Sequence, residues 1–171
     1  MTKNKGFTLI ELIVVIVILG ILAVTAASKF ADLSRDARIS TLKGMQGAMR
    51  SGAAIIHTQA MIEGKVKGAD TIELGGASIS LHSGYPIGNF VNGFRYIVNL
   101  DAVNYSKATD VCTVEWCGRG NQRSIPSGIA TSGYIGKVYL KGYSWNDECG
   151  VYYVNHKNGT APEIGLETDD C

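Results

Sequence analysis

Proline is scarce in this chain: three in 171 residues, and none within Phe7–Ala27. Cysteine is missing from the first 111 residues, and all four cysteines lie within Cys112–Cys171. Net charge is almost absent, +1 at neutral pH. A balance this close to neutral argues against a protein that holds polyanions by bulk charge. Cysteines confined to the distal part, downstream of any membrane segment, point to an oxidising compartment. Phosphate loops, paired carboxylates and a serine in a G-x-S-x-G setting are also missing. His57, His82 and His156 share no metal-ligand or catalytic spacing. The chain is therefore not read as an enzyme, and no cofactor or metal is expected.

What is present begins with Phe7–Ala27, FTLIELIVVIVILGILAVTAA, in which Glu11 is the single ionisable side chain. A run of about 20 apolar residues matches the hydrocarbon core of a bilayer at helical rise. Lys3 and Lys5 precede it, which keeps that end cytoplasmic and sends the rest of the chain across. A carboxylate inside such a run costs roughly 2.5–3.5 kcal/mol or more without a partner, so Glu11 is a functional candidate. A secretory signal cut near Val24-Thr25-Ala26 has suitable small residues but leaves Glu11 unexplained.

Met1–Gly6 followed by Phe7-Thr8-Leu9-Ile10-Glu11-Leu12 resembles the leader and N-terminus of a type IV prepilin. The resemblance implies cleavage between Gly6 and Phe7 by a prepilin peptidase and methylation of the new Phe7 amine. It also implies that Glu11 pairs with the Phe7 amine of a neighbouring subunit. Ile16–Ala27 and Gly84-Tyr85-Pro86 resemble, more loosely, pilins of the mannose-sensitive haemagglutinin type. Many type IV pilins carry a proline eight residues after the anchor glycine; Gly20 here is followed at that distance by Ser28. Serine keeps its N–H and costs a helix far less than proline, so the helix is expected to run straighter there. Thr25 and Ser28 hydroxyls are expected to bond to carbonyls one turn back.

Beyond the anchor, Phe30, Leu33, Ala37, Leu42, Met45, Met49, Ala53 and Ile56 continue a three-and-four spacing. The whole is expected to form one helix of about 55 residues, on the order of 80 Å long. Gly44, Ala48 and Gly52 form a second stripe that invites the close approach of another backbone. Gly64–Gly68 ends the helix, and Thr71–Leu74, Gly75-Gly76 and Ala77–Leu81 read as a hairpin. Asn89–Val103 is read as a short helix through Phe90, Phe94, Ile97 and Leu100, with a strand over Arg95–Leu100 as the alternative. Strands are expected at Val111–Trp116, Lys137–Lys141 (Val138 and Leu140 inward) and Val151–Val154.

The fold expected is α+β: a long N-terminal helix, the type IV pilin lollipop, with an antiparallel sheet head on its C-terminal half. The divisions are 1–6 leader, 7–27 transmembrane or filament-core half, 28–63 amphipathic half and 64–171 globular head. Spacing alone leaves all three pairings of Cys112, Cys117, Cys149 and Cys171 open. The C-terminal disulfide-bounded loop common in pilins implies 112–117 with 149–171. Glu167, Asp169 and Asp170 read as a solvated acidic tail, with calcium as the minor alternative. Asn104-Tyr105-Ser106 and Asn158-Gly159-Thr160 match the glycosylation triplet.

The function expected is that of a pilus subunit, stored in the inner membrane and then drawn into an extracellular filament for surface attachment. Its partners would be copies of itself as a helical homopolymer, the prepilin peptidase and assembly machinery, and a host or abiotic surface. The alternatives are a major pseudopilin of a type II secretion system and a DNA-uptake pilin. For the last, Arg119 and Arg123 in a Gly-rich loop are too few for multi-contact binding, so nucleic acid is not expected as a partner.

Overall fold

The computed structural model describes residues 7–98 and 103–171. The chain divides into two compact units, the first ending at Arg38 and the second spanning Ile39–Cys171. A single helix, α1 (Leu9–Ile62), contributes to both. It stays helical through Gly20 and Ser28 without a break. Thr25 Oγ1 donates to the Leu22 carbonyl (2.9 Å), one turn back as its spacing predicts. The Ser28 side chain lies outside the described residues.

In the first unit every described side chain is exposed or nearly so, apolar ones included. An 18-residue window of α1 is long and apolar enough to cross a membrane. In the second unit α1 turns one stripe inward: Leu42, Met49, Ala53, Ile56 and Ala60 are all buried. The helix stops in a Schellman motif. Lys65 N–H donates to the Ala60 carbonyl (2.8 Å) and Gly64 N–H to that of Met61 (3.1 Å). Gly64 supplies the positive φ of 72° that this ending requires.

Strands β1 (Ala69–Leu74) and β2 (Ala77–His82) form the expected hairpin, with β3 (Tyr85–Pro86) beside β2. Gly75 and Gly76 have φ of 61° and 80°, the pair of left-handed residues of a type I′ turn. The larger sheet has the order β4-β5-β6-β7-β8, from β4 (Val103–Tyr105), β5 (Trp116–Ser124), β6 (Ala130–Leu140), β7 (Gly150–Asn155) and β8 (Glu163–Glu167). All pairings are antiparallel except β4 with β5. The fold is therefore α+β, with a long N-terminal helix followed by antiparallel sheets.

One face of the larger sheet, through Val138, Val151, Tyr153, Ile164 and Leu166, packs with the α1 stripe, Ile72, Ile79, Leu81 and Phe94. The other, through Ile135, Tyr139, Tyr152 and Val154, is covered by Ile125, Trp145 and the Cys112 loop. Strand β7 is consequently buried at all six positions.

Three local expectations need correction. Val111–Trp116 is not a strand; β5 starts only at Trp116. The Cys112–Cys117 bridge bends that stretch, and Cys112 is bound by both backbone groups to Gly142 and Tyr143 instead of to a strand. Within the described part of Asn89–Val103, the expected helix is reduced to one 3₁₀ turn, Phe94–Tyr96. Asn89 Oδ1 accepts from the N–H groups of Val91 (2.9 Å) and Asn92 (3.0 Å), which builds a turn there in place of a helix. Leu100 lies outside the described residues. Arg119 and Arg123 sit on β5, not in a loop; a bulge between Arg119 and Gln122, with Asn121 at φ 62°, absorbs the glycine-rich sequence.

The glycine stripe of α1 splits in two. A Cβ at Gly52 would collide with the Ile97 carbonyl, whereas one at Gly44 would meet open space. Gly52→Ala should therefore destabilise the second unit by about 1–3 kcal/mol or more. Gly44→Ala should stabilise it by about 1 kcal/mol. Denaturation of the detergent-solubilised protein followed by tryptophan fluorescence checks both, since Trp116 and Trp145 lie in that unit.

Candidate functional sites

Among the described residues the N-terminal site comprises Phe7, Thr8 and Glu11. Thr8 precedes the first helical residue, and Glu11 lies three positions on. The Thr8 N–H and hydroxyl both donate to Glu11 Oε2 (2.8 Å each), and the Glu11 N–H donates to Thr8 Oγ1 (3.3 Å). This is a capping box, which satisfies helix-end donors that no carbonyl can reach. The T-x-x-E spacing that signals it stands in plain view in Thr8–Glu11, and a reading of Glu11 as a bare carboxylate overlooks it. Phe7 is exposed beside it, and Gly6 lies outside the described residues.

The cysteines form two bridges, Cys112–Cys117 with Cα atoms 5.6 Å apart and Cys149–Cys171 with Cα atoms 5.0 Å apart. The first fixes the loop between β4 and β5. The second ties residue 171 to the position just before β7, and closing a loop of that size contributes about 3 kcal/mol in the chain-entropy account.

Glu167 does not belong to a solvated tail. It lies on β8, buried, and forms an ion pair with Lys137 of β6, which is also fully buried. Lys137 Nζ donates further to the carbonyls of Trp145 (3.0 Å) and Asp147 (2.8 Å). Glu167 Oε1 accepts from the Ser127 N–H (3.0 Å). Burial pushes the Lys137 amine below the usual lysine range, against the opposing pull of Glu167. Asp170 accepts from the Glu148 N–H (2.7 Å), fastening the segment after β8. Among the described residues no three His, Cys, Asp or Glu side chains group as metal ligands.

The histidines are all engaged. His57 stacks on Tyr85 (3.9 Å between centroids, planes 2° apart), and its Nδ1 lies 3.1 Å from the Gly84 carbonyl. His82 Nδ1 meets Ser83 Oγ at 3.0 Å. His156 spans Thr131 Oγ1 (3.0 Å) and Glu163 Oε2 (3.4 Å), a grouping from three strand ends that no local spacing announces. Tyr152 donates to Glu163 Oε1 (2.8 Å); burial first, then this carboxylate, holds its phenol up at about 12. The Gly133 N–H also donates to Thr131 Oγ1 (3.0 Å), so the group fastens the ends of β6, β7 and β8.

Asn158 Oδ1 accepts from the Thr160 N–H (3.1 Å) and hydroxyl (2.7 Å) in an exposed turn. Tyr105 and Ser106 of the other triplet are described, exposed and buried respectively.

The family described as the prokaryotic N-terminal methylation motif matches residues 1–27. No curated protein and no solved structure matches the chain.

Proposed function

We propose, from the premise that this N-terminus is that of a type IV pilin-like prepilin, that the chain is the structural subunit of a type IV pilus. The observation that carries the proposal is the conjunction of the methylation motif with one helix that is apolar and exposed up to residue 27 and amphipathic beyond it. An apolar helix surface of this extent needs a bilayer before assembly and other copies of itself afterwards. A prepilin peptidase cuts between Gly6 and Phe7 and the Phe7 amine is methylated; the subunit then leaves the inner membrane for an extracellular filament that attaches to surfaces. Glu11 takes part in assembly through a neighbour's Phe7 amine. Two disulfides, one closing the C-terminal segment, favour the surface pilus over a pseudopilin. The pilin type is that of the mannose-sensitive haemagglutinin, on the runs Ile16–Ala27 and Gly84-Tyr85-Pro86.

The mature protein should start at Phe7 with one added methyl group. Intact-mass and N-terminal peptide mass spectrometry of sheared filaments checks this. A chain that starts after Ala26, or retains residues 1–6 in the filament, would reject the reading.

A further inference from the structure

Two features of the second unit stand on opposite sides of its larger sheet. Beside β8 an open hollow of about 300 Å³ is walled by Ala53, Ala54, His57, Tyr85, Pro162 and Ile164. Its walls are mostly apolar and they are fixed: His57 is stacked on Tyr85 and Gln46 donates to the Ile164 carbonyl (3.0 Å). Arg50 stands exposed at its rim, and Lys43 follows the same side of α1 two helical turns away.

On the other side, in the loop from β4 to β5, Val111 projects with 58% of its surface exposed. This knob is held rigidly. Ser106 Oγ donates to the Asp110 carbonyl (3.3 Å), and the Cys112 N–H donates to the Tyr143 carbonyl (2.7 Å) immediately after Val111. Cys112 is bridged to Cys117. Asp110 immediately precedes it in the chain and Glu115 follows four residues on, both exposed.

We infer that Val111 of one copy seats in the hollow beside β8 of the next, with Asp110 and Glu115 facing Arg50 and Lys43. The inference rests on the filament reading and names the contact through which the second units meet. An apolar knob flanked by acids matches an apolar hollow flanked by bases, and such complementarity sets orientation as well as attraction. The hollow lies against α1 on one side of the sheet and the knob in the loop that covers the other, so they are different patches and the contact is heterologous. A contact of that kind either closes into a ring or propagates as an open polymer, and the filament reading requires the second. Neither feature is large, so each contact is weak alone and cumulative along a filament.

Two measurements on assembled filaments test this. In the first, Val111 is replaced by a benzophenone amino acid and the filaments are irradiated. A ladder of dimers, trimers and higher species is expected on denaturing gels, with cross-linked peptides joining position 111 to residues 50–58 or 161–164. In the second, Arg50→Glu and Asp110→Arg should each lower sheared-filament yield roughly tenfold, the effect of about 1.4 kcal/mol. The double variant should recover to within about threefold of the unaltered chain. Circular dichroism of detergent-solubilised subunits excludes misfolding, and the cross-link needs no change of charge. Abundant filaments that cross-link position 111 elsewhere, or only as dimers, would overturn the contact and leave the filament reading standing. A double variant as poor as the singles would do the same. Absence of any filament from the unaltered chain would reject the filament reading itself.

Discussion

If Glu11 pairs as proposed, Glu11→Ala should leave a folded, membrane-held subunit and lower filament yield by roughly a hundredfold. The geometry makes a sharper test available, because the capping contact of Glu11 can be separated from the pairing proposed for it. Its Oε2 closes the capping box with Thr8, and alanine removes that half of the box while Thr8 Oγ1 can still accept the backbone N–H at position 11. Glutamine keeps a capping oxygen at the same place, since Gln serves a capping box as Glu does, but carries no charge. If a neighbour's methylated amine is what Glu11 meets in the filament, Glu11→Gln should assemble nearly as poorly as Glu11→Ala. Electron microscopy and immunoblots of sheared fractions measure the outcome. Full piliation of the glutamine variant would reject the ionic pairing and leave the cap as the residue's function.

The second large effect lies in the head. Lys137→Met should lower stability by roughly 3–5 kcal/mol, because it leaves the Glu167 carboxylate buried without its cation. For a chain of this length that is a fall in Tm of roughly 6–20 °C. Lys137→Met combined with Glu167→Leu should be more stable than Lys137→Met alone, since no uncompensated charge remains. Recovery should be incomplete: the Trp145 and Asp147 carbonyls and the Ser127 N–H lose their partners, and buried groups left so cost about 1–3 kcal/mol each. Tryptophan fluorescence is a direct readout, because Lys137 Nζ lies 5.6 Å from the centre of the Trp145 ring. A loss below about 1 kcal/mol for Lys137→Met would show that the pair does not hold these loops.

The elements that were legible in the sequence are those whose causes are local. A proline-free run with apolar residues at three-and-four spacing can hardly avoid being a helix, and α1 ends at the glycines after Ile62. Gly75-Gly76 between alternating segments specifies its own turn type. The stretches that misread depend on distant partners. Val111–Glu115 alternates like a strand, but a disulfide five residues long and a turn at Gly142-Tyr143 decide its path. Phe90, Phe94 and Ile97 are buried at helical spacing, yet Asn89 and Gly93 impose turns, and Gly93 lies against the Ile87 carbonyl. Lys137 alternates with Val138 as an outward residue should. That its outward side is a second core, closed by Ile125, Trp145 and Tyr152, follows only from tertiary packing. Glu167 reads as tail for the same reason: nothing near it in sequence reveals the lysine thirty residues back.

Strands β7 and β8 run antiparallel, joined at one end by residues 156–162 and at the other by the Cys149–Cys171 bridge. The pair is thus a covalent ring. β8 is an edge strand, and an edge strand is the part of a sheet most easily peeled off and exchanged for the same strand of a neighbour. A pull on the chain after β8 is carried across the bridge to the start of β7, which is buried at every position, so β8 cannot peel away without β7. Traded strands between crowded heads would require the bridge to open first. Reduction, more than force, is what should make this edge exchangeable.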